Sequence, residues 1–162
     1  MLRLAYTIIP EQPNRRAAQI ALHRAGRLLL CEATGLNLKK LEEQLRFRPS
    51  RKPYLPGGPF FSISHSGRLA LLALSGEGEV GCDVEDLLRP LRCEEKIREK
   101  IARPGDENEP TLSLWVRHEA EYKSGLPAGQ GVLLRPPMPE GYLACVVCEK
   151  YSGEFELQEK YF

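Results

Sequence analysis

Apolar runs broken by proline and glycine divide this 162-residue chain into short elements. Residues 1–9 predict a strand, closed by Pro10 and Pro13. Asn14 can then cap a helix reaching about residue 33. Ile20, Leu22, Ala25, Leu28 and Leu29 supply its apolar face, and Gly35 stops it. Asn37 caps a short helix through L-K-K-L-E-E-Q, and residues 45–48 predict a short strand. Residues 49–59 hold four prolines and two glycines, so they form a loop with a fixed path, which carries Lys52. Between 60 and 85 an apolar run meets Ser64-His65-Ser66-Gly67, a predicted polar turn at a strand end. A second strand at 68–75, a turn at 76–78 and a third strand at 79–85 follow. Residues 89–103 predict a short, mostly basic helix ended by Pro104 and Gly105, with an acidic loop at 106–110. Thr111 or Ser113 opens the next helix, which runs through Lys123 and stops at Gly125. Two strands, about 142–149 and 153–158, complete the chain, with no linker and no exact internal repeat.

Composition narrows the function classes. A hydrophobic share of 42% is enough for a packed interior, and a net charge of +1 leaves no general nucleic-acid footprint. No apolar run approaches a membrane span. Arg15, Arg16, Arg24 and Arg27 break up the apolar segments near the N-terminus, so no signal-peptide pattern is seen and a cytoplasmic protein is expected. Five cysteines without framework spacing suit a reducing compartment. Cys145 and Cys148 match C-x-x-C but lie within an apolar run that predicts a buried strand, so core cysteines are expected rather than a zinc or redox site.

The chemistry concentrates in two stretches. On the strand at 79–85, Asp83 and Glu85 are two residues apart and so share a face, opposite Val80, Cys82 and Val84. They could be the outward face of an edge strand, but two like charges on one face repel without a cation, and Mg²⁺ accepts one or two carboxylates. On the helix after 111, Trp115, Glu119 and Lys123 recur at i, i+4 and i+8. Alone, Glu119 and Lys123 are an ordinary surface ion pair. His65 alone could simply cap its turn. Adjacent Ser64, His65 and Ser66 cannot form a hydrolase triad, and G-x-S-x-G is absent.

Four ordered blocks within 52–125 resemble those of the 4′-phosphopantetheinyl transferase superfamily, of the surfactin-synthetase-activating type. They are the loop lysine with K-P-Y at 52–54, F-S-I-S-H-S-G at 61–67, V-G-C-D-V-E at 80–85, and W-V-R-H-E-A-E-Y-K at 115–123. The resemblance implies transfer of the 4′-phosphopantetheine arm of coenzyme A to a serine of an apo acyl or peptidyl carrier protein, releasing 3′,5′-ADP. It implies that Asp83, Glu85 and Glu119 surround Mg²⁺, with Glu119 also the candidate base. Lys123 would contact the pyrophosphate, while Lys52, Ser64 and His65 hold the nucleotide end, His65 near the 3′-phosphate. Arg16 stands where family members carry a further phosphate-binding arginine.

The expected fold is α+β: one domain over 1–162, in two pseudo-duplicated halves (about 1–78 and 79–162). Each half is a small, mainly antiparallel sheet with a covering helix, and coenzyme A and Mg²⁺ lie in the cleft between them. A monomer is expected. Arg89, Arg92, Lys96, Arg98 and Lys100 are candidate docking residues for an acidic carrier helix. Two features depart from the family pattern: His118 replaces the usual lysine before the helix glutamate, and the segment between Glu85 and Trp115 is trimmed. They motivate an alternative, a module of the same fold that binds coenzyme A or a carrier protein without transferring anything. A zinc-binding interaction protein using Cys145 and Cys148 is a third option.

Overall fold

A computed structural model describes all 162 residues. Its first sheet contains β1 (Leu2–Ile8), β4 (Phe60–Ser66), β5 (Leu69–Ser75) and β9 (Phe155–Glu159) in the order β4-β5-β1-β9. The second contains β6 (Val80–Asp86), β7 (Val132–Leu134) and β8 (Tyr142–Cys148) in the order β6-β8-β7. Two-residue strands β2 (Arg46–Phe47) and β3 (Pro53–Tyr54) pair separately. Every pairing is antiparallel except β1 with β9, so the last strand returns to complete the first sheet.

Four layers result. Helix α1 (Arg15–Thr34) covers the outer face of the first sheet, burying Leu22, Ala25, Leu29 and Leu30 against Phe61, Ala70, Leu72 and Leu74. The inner faces of the two sheets meet through Leu2, Leu4, Leu69, Leu71 and Ala73 on one side, and Val80, Cys82, Val84, Ala144 and Val146 on the other. Helix α4 (Thr111–Ser124) covers the outer face of the second sheet through Val116 and Ala120, against Cys145 and Val147. Strand β5 is covered on both sides, which explains its unbroken apolar run. The architecture is α+β, as expected.

Local signals set most boundaries. The Asn14 side chain accepts the Ala17 amide at the start of α1, and Asn37 accepts the Lys40 amide at the start of α2 (Leu38–Gln44). Gly35 and Gly125 end α1 and α4 in the left-handed conformation. Four expectations change. Ile20 is 62% exposed, and the buried stripe of α1 runs through Leu22, Ala25, Gly26, Leu29, Leu30 and Cys31. The turn expected at 64–67 shrinks to Gly67 (φ 58°) and Arg68, because β4 continues through Ser66. Helix α3 spans only Glu94–Ile101, leaving Arg89 and Arg92 in the turn before it. No side chain caps α4, which begins after Pro110; Ser113 instead donates to Glu109.

Charged groups tie α3 to α4. Arg117 Nη1 and Nη2 donate to Asp106 Oδ1 and Oδ2 at 2.8 and 2.7 Å, and the Arg103 amide reaches Oδ2 at 2.7 Å. Arg103 donates both guanidinium arms to Glu121. Arg98 spans the carbonyls of Asp106, Glu107 and Glu109. The Arg117 guanidinium holds the Asp106 carboxyl well below the usual carboxylate range.

Candidate functional site

The site begins with an unmet need of the backbone. Strand β6 is an edge strand, so amides on its outward side have no ladder partner. Strand β4 supplies hydroxyls at every second position. The Cys82, Val84 and Asp86 amides donate to Ser62, Ser64 and Ser66 Oγ at 3.0, 3.4 and 3.1 Å. Two of these serines pass their own protons on. Ser64 donates to Asp83 Oδ1 at 2.7 Å, and Ser66 to Glu85 Oε2 at 2.6 Å. The serine spacing was readable in the sequence; its pairing to β6 was not.

Gly81 brings the helix in. A Cβ at this position would lie 2.1 Å from the Ala120 carbonyl oxygen and 2.2 Å from the Ser124 nitrogen, so only glycine lets α4 cross β6 this closely. The crossing sets Lys123 Nζ 2.5 Å from Asp83 Oδ1 and 3.0 Å from Ser64 Oγ. Asp83 is 4% exposed, and its second oxygen, Oδ2, has no hydrogen-bond partner. Burial pushes the Lys123 ammonium down, but the attraction and hydrogen bond of Asp83 outweigh it, and the net shift is upward. Lys123 therefore stays cationic. Burial raises the Glu119 carboxyl; Lys123 opposes this, while the Asp83 and Glu85 charges add to it. His118 is also within electrostatic reach of Glu119, and its ring lies 6.1 Å from that of Trp115.

Beside this cluster opens a cleft of about 820 Å³, lined by Arg15, His65, Ser66, Glu85, Arg89, Arg92 and Trp115 among others. Arg89 lies 3.5 Å from Glu85. His65 meets His23 edge to face, with ring centroids 4.8 Å apart. Burial, then the charges of His23 and Lys123, lower its pKa and favour the neutral ring.

The structure thus joins Ser64, Asp83 and Lys123 directly and brings Glu85 and His65 to the neighbouring cleft. Two expected residues lie elsewhere. Lys52 Nζ donates to Glu79 Oε2, the Val80 carbonyl and the Ser124 carbonyl at 2.7, 3.0 and 3.2 Å, using all three of its protons. Arg16 is on an exposed face of α1, and Arg15 rather than Arg16 lines the cleft. Sequence reasoning missed Arg15, His23 and the fact that Arg89 and Arg92, though exposed, line the cleft. Cys145 and Cys148 lie in clusters on opposite sides of the second sheet, so they are core residues that cannot share a metal. Burial pushes the Cys145 thiol up to about 12.

No three His, Cys, Asp or Glu side chains converge as a ready-made metal cage. The chemistry of the set nevertheless fits a hard divalent cation: Asp83, Glu85 and Glu119 are all carboxylates, Asp83 and Glu85 both act electrostatically on Glu119, and the buried Asp83 Oδ2 has no donor. No helix is long and apolar enough to cross a membrane.

No family model matches the chain. Among curated proteins, it is 32% identical over 135 residues to the 4′-phosphopantetheinyl transferase AcpT of Salmonella typhimurium, covering 75% of this chain and 66% of that protein. It is 38% identical over 91 residues to the AcpT of Salmonella typhi, covering 54% of this chain and 43% of that protein. The chain therefore spans less than two thirds of the length of these relatives.

Proposed function

The chain belongs to the 4′-phosphopantetheinyl transferase superfamily, and from that premise we propose that it moves the phosphopantetheine arm of coenzyme A onto a carrier-protein serine. The observation that carries the reading is the contact of Lys123 with the buried Asp83 and Ser64 beside an arginine-lined cleft. In the proposed reaction the carrier serine oxygen attacks the phosphorus that bears pantetheine. The bond from that phosphorus to the bridging oxygen breaks, and 3′,5′-ADP leaves with that oxygen.

Glu119 takes the serine proton. Its raised pKa makes it a better proton acceptor near neutral pH than an ordinary carboxylate. Lys123 offsets charge on the pyrophosphate from a fixed position. Arg15, Arg89 and Arg92 suit phosphate oxygens through their planar guanidinium groups, and neutral His65 can donate to a phosphate. Mg²⁺ held by Asp83, Glu85 and Glu119 would supply charge neutralisation on the pyrophosphate oxygens. Lys52 is assigned to holding the end of α4 rather than to the nucleotide, since its protons are committed.

The docking face for an acidic carrier helix is reduced from the one expected, because Arg98 is occupied by the 106–109 loop carbonyls. With Arg89 and Arg92 given to the cleft, what remains is Lys96 and Lys100, with Leu87 and Leu88 exposed in the preceding turn. Reversing Lys96 and Lys100 to glutamate should lower carrier loading and flatten its salt dependence; unchanged loading would remove this face from the account.

The direct test is release of 3′,5′-ADP from coenzyme A, followed chromatographically with and without an apo carrier. Release that needs the carrier and stops with EDTA supports the reading. Coenzyme A binding without release, across fatty-acid, polyketide and nonribosomal-peptide carriers, would instead identify a binding module.

A further inference from the structure

We propose that Ser64 and Ser66 are positioning residues that fix which oxygen of Asp83 and of Glu85 is presented to the reaction. The inference rests on the transferase reading, because it takes these carboxylates as the cation-facing groups. A hydroxyl has one proton and two lone pairs. In both serines one lone pair accepts a β6 amide, which leaves the proton to be given away. It goes to Oδ1 of Asp83 and to Oε2 of Glu85.

Ser64 is further constrained, since Lys123 donates to its remaining lone pair at 3.0 Å. With one proton given and two accepted, the Ser64 hydroxyl is fully engaged within this cluster. The same two donors, Ser64 and Lys123, both act on Oδ1 of Asp83, and this is why Oδ2 stays free while buried. An amide of β6 thus directs each hydroxyl, and each hydroxyl directs a carboxylate. Ser62 completes the ladder as an internal control: it accepts the Cys82 amide but donates to neither carboxylate.

The experiment compares Ser62→Ala, Ser64→Ala, Ser66→Ala and Ser66→Thr with the unmodified protein. Each is melted, and each is titrated calorimetrically with Mn²⁺ in the presence of coenzyme A. All three alanine variants should lower the melting temperature, since each leaves one β6 amide unpaired, and Ser64→Ala most, because it also removes the bonds to Asp83 and Lys123. Only Ser64→Ala and Ser66→Ala should weaken Mn²⁺ binding, by about 10–100-fold, the usual effect of removing a group that orients a metal ligand. Ser66→Thr keeps the hydroxyl and should restore affinity. Unchanged Mn²⁺ affinity in Ser64→Ala and Ser66→Ala, or an equal loss in Ser62→Ala, would overturn the positioning role and leave the transferase reading standing. An unmodified protein that takes up no Mn²⁺ would overturn both.

Discussion

Helix α4 carries two cations that meet two aspartates, and the pairs are built differently. Arg117 grips both oxygens of Asp106, and the Arg103 amide adds a third hydrogen bond. That carboxylate is closed. Lys123 meets only Oδ1 of Asp83, shares it with Ser64, and leaves Oδ2 without a partner although the residue is buried. That carboxylate is open. A closed pair holds α3 and its loop against α4; an open pair keeps capacity for something not supplied by the chain. Arg117 Nε is also buried without a partner, but an N–H cannot hold a cation, so it is the free carboxylate oxygen that suits Asp83 rather than Asp106 to the proposed chemistry.

The largest effect should come from removing charge on the open side. Glu119→Gln is expected to lower transfer by about 10²–10⁴-fold, the range for loss of a general base, with little change in melting temperature. The matching change on the closed side should do the reverse. Arg117→Leu leaves the buried Asp106 charge without its ion-pair partner, with only the Arg103 amide still donating, and should destabilise by about 3 kcal/mol on denaturant melts while folded molecules keep turning over. Adding Asp106→Leu should recover much of that loss.

Gly81→Ala should blur the distinction. Its Cβ must displace the α4 backbone at Ala120 and Ser124, costing about 1–3 kcal/mol or more and moving Lys123 from Asp83. Stability and transfer should therefore fall together, unlike in either variant above.

The smallest effect is in pH dependence, where the two sides have opposite signs. The folded pKa of Asp106 is depressed by Arg117, so its contribution to stability is full above the unfolded value of about 4 and is lost as pH falls through the folded one. The folded pKa of Glu119 is raised by burial, so its contribution is full below the unfolded value of about 4.3 and is lost as pH rises through the folded one. Acid melts should lose less in the Arg117→Leu/Asp106→Leu double variant, and metal-free melts of Glu119→Gln should lose less than the unmodified protein as pH rises above the ordinary carboxylate range.

The open side was largely legible in the sequence, and the closed side was not. Asp83 and Glu85 share a face because strand side chains alternate, and Glu119 and Lys123 share one because they are a helical turn apart. Such short-range periodicities survive folding. Asn14, Asn37, Gly35 and Gly125 were equally local and took up the capping positions expected of them. The Ser64–Gly67 run was read as a turn because serine and glycine favour turns locally. Its two serines instead serve the Val84 and Asp86 amides twenty residues away, a tertiary demand that overrides the local preference. Lys52 met its partners at Glu79 and Ser124, and β9 paired with β1, across separations that no local pattern encodes. Arg117 and Asp106 looked like a helix face and an acidic loop until packing joined them.

The most direct measurement is the intact mass of an apo carrier protein after incubation with coenzyme A, Mg²⁺ and this protein. The carrier should gain the mass of one phosphopantetheine group, with no gain in EDTA and a strongly slowed one in Glu119→Gln. Arg117→Leu, assayed at a temperature where it is folded, should give the same gain. A carrier mass that stays unchanged for all three pathway types, or a gain unaffected by Glu119→Gln, would contradict the proposed reaction.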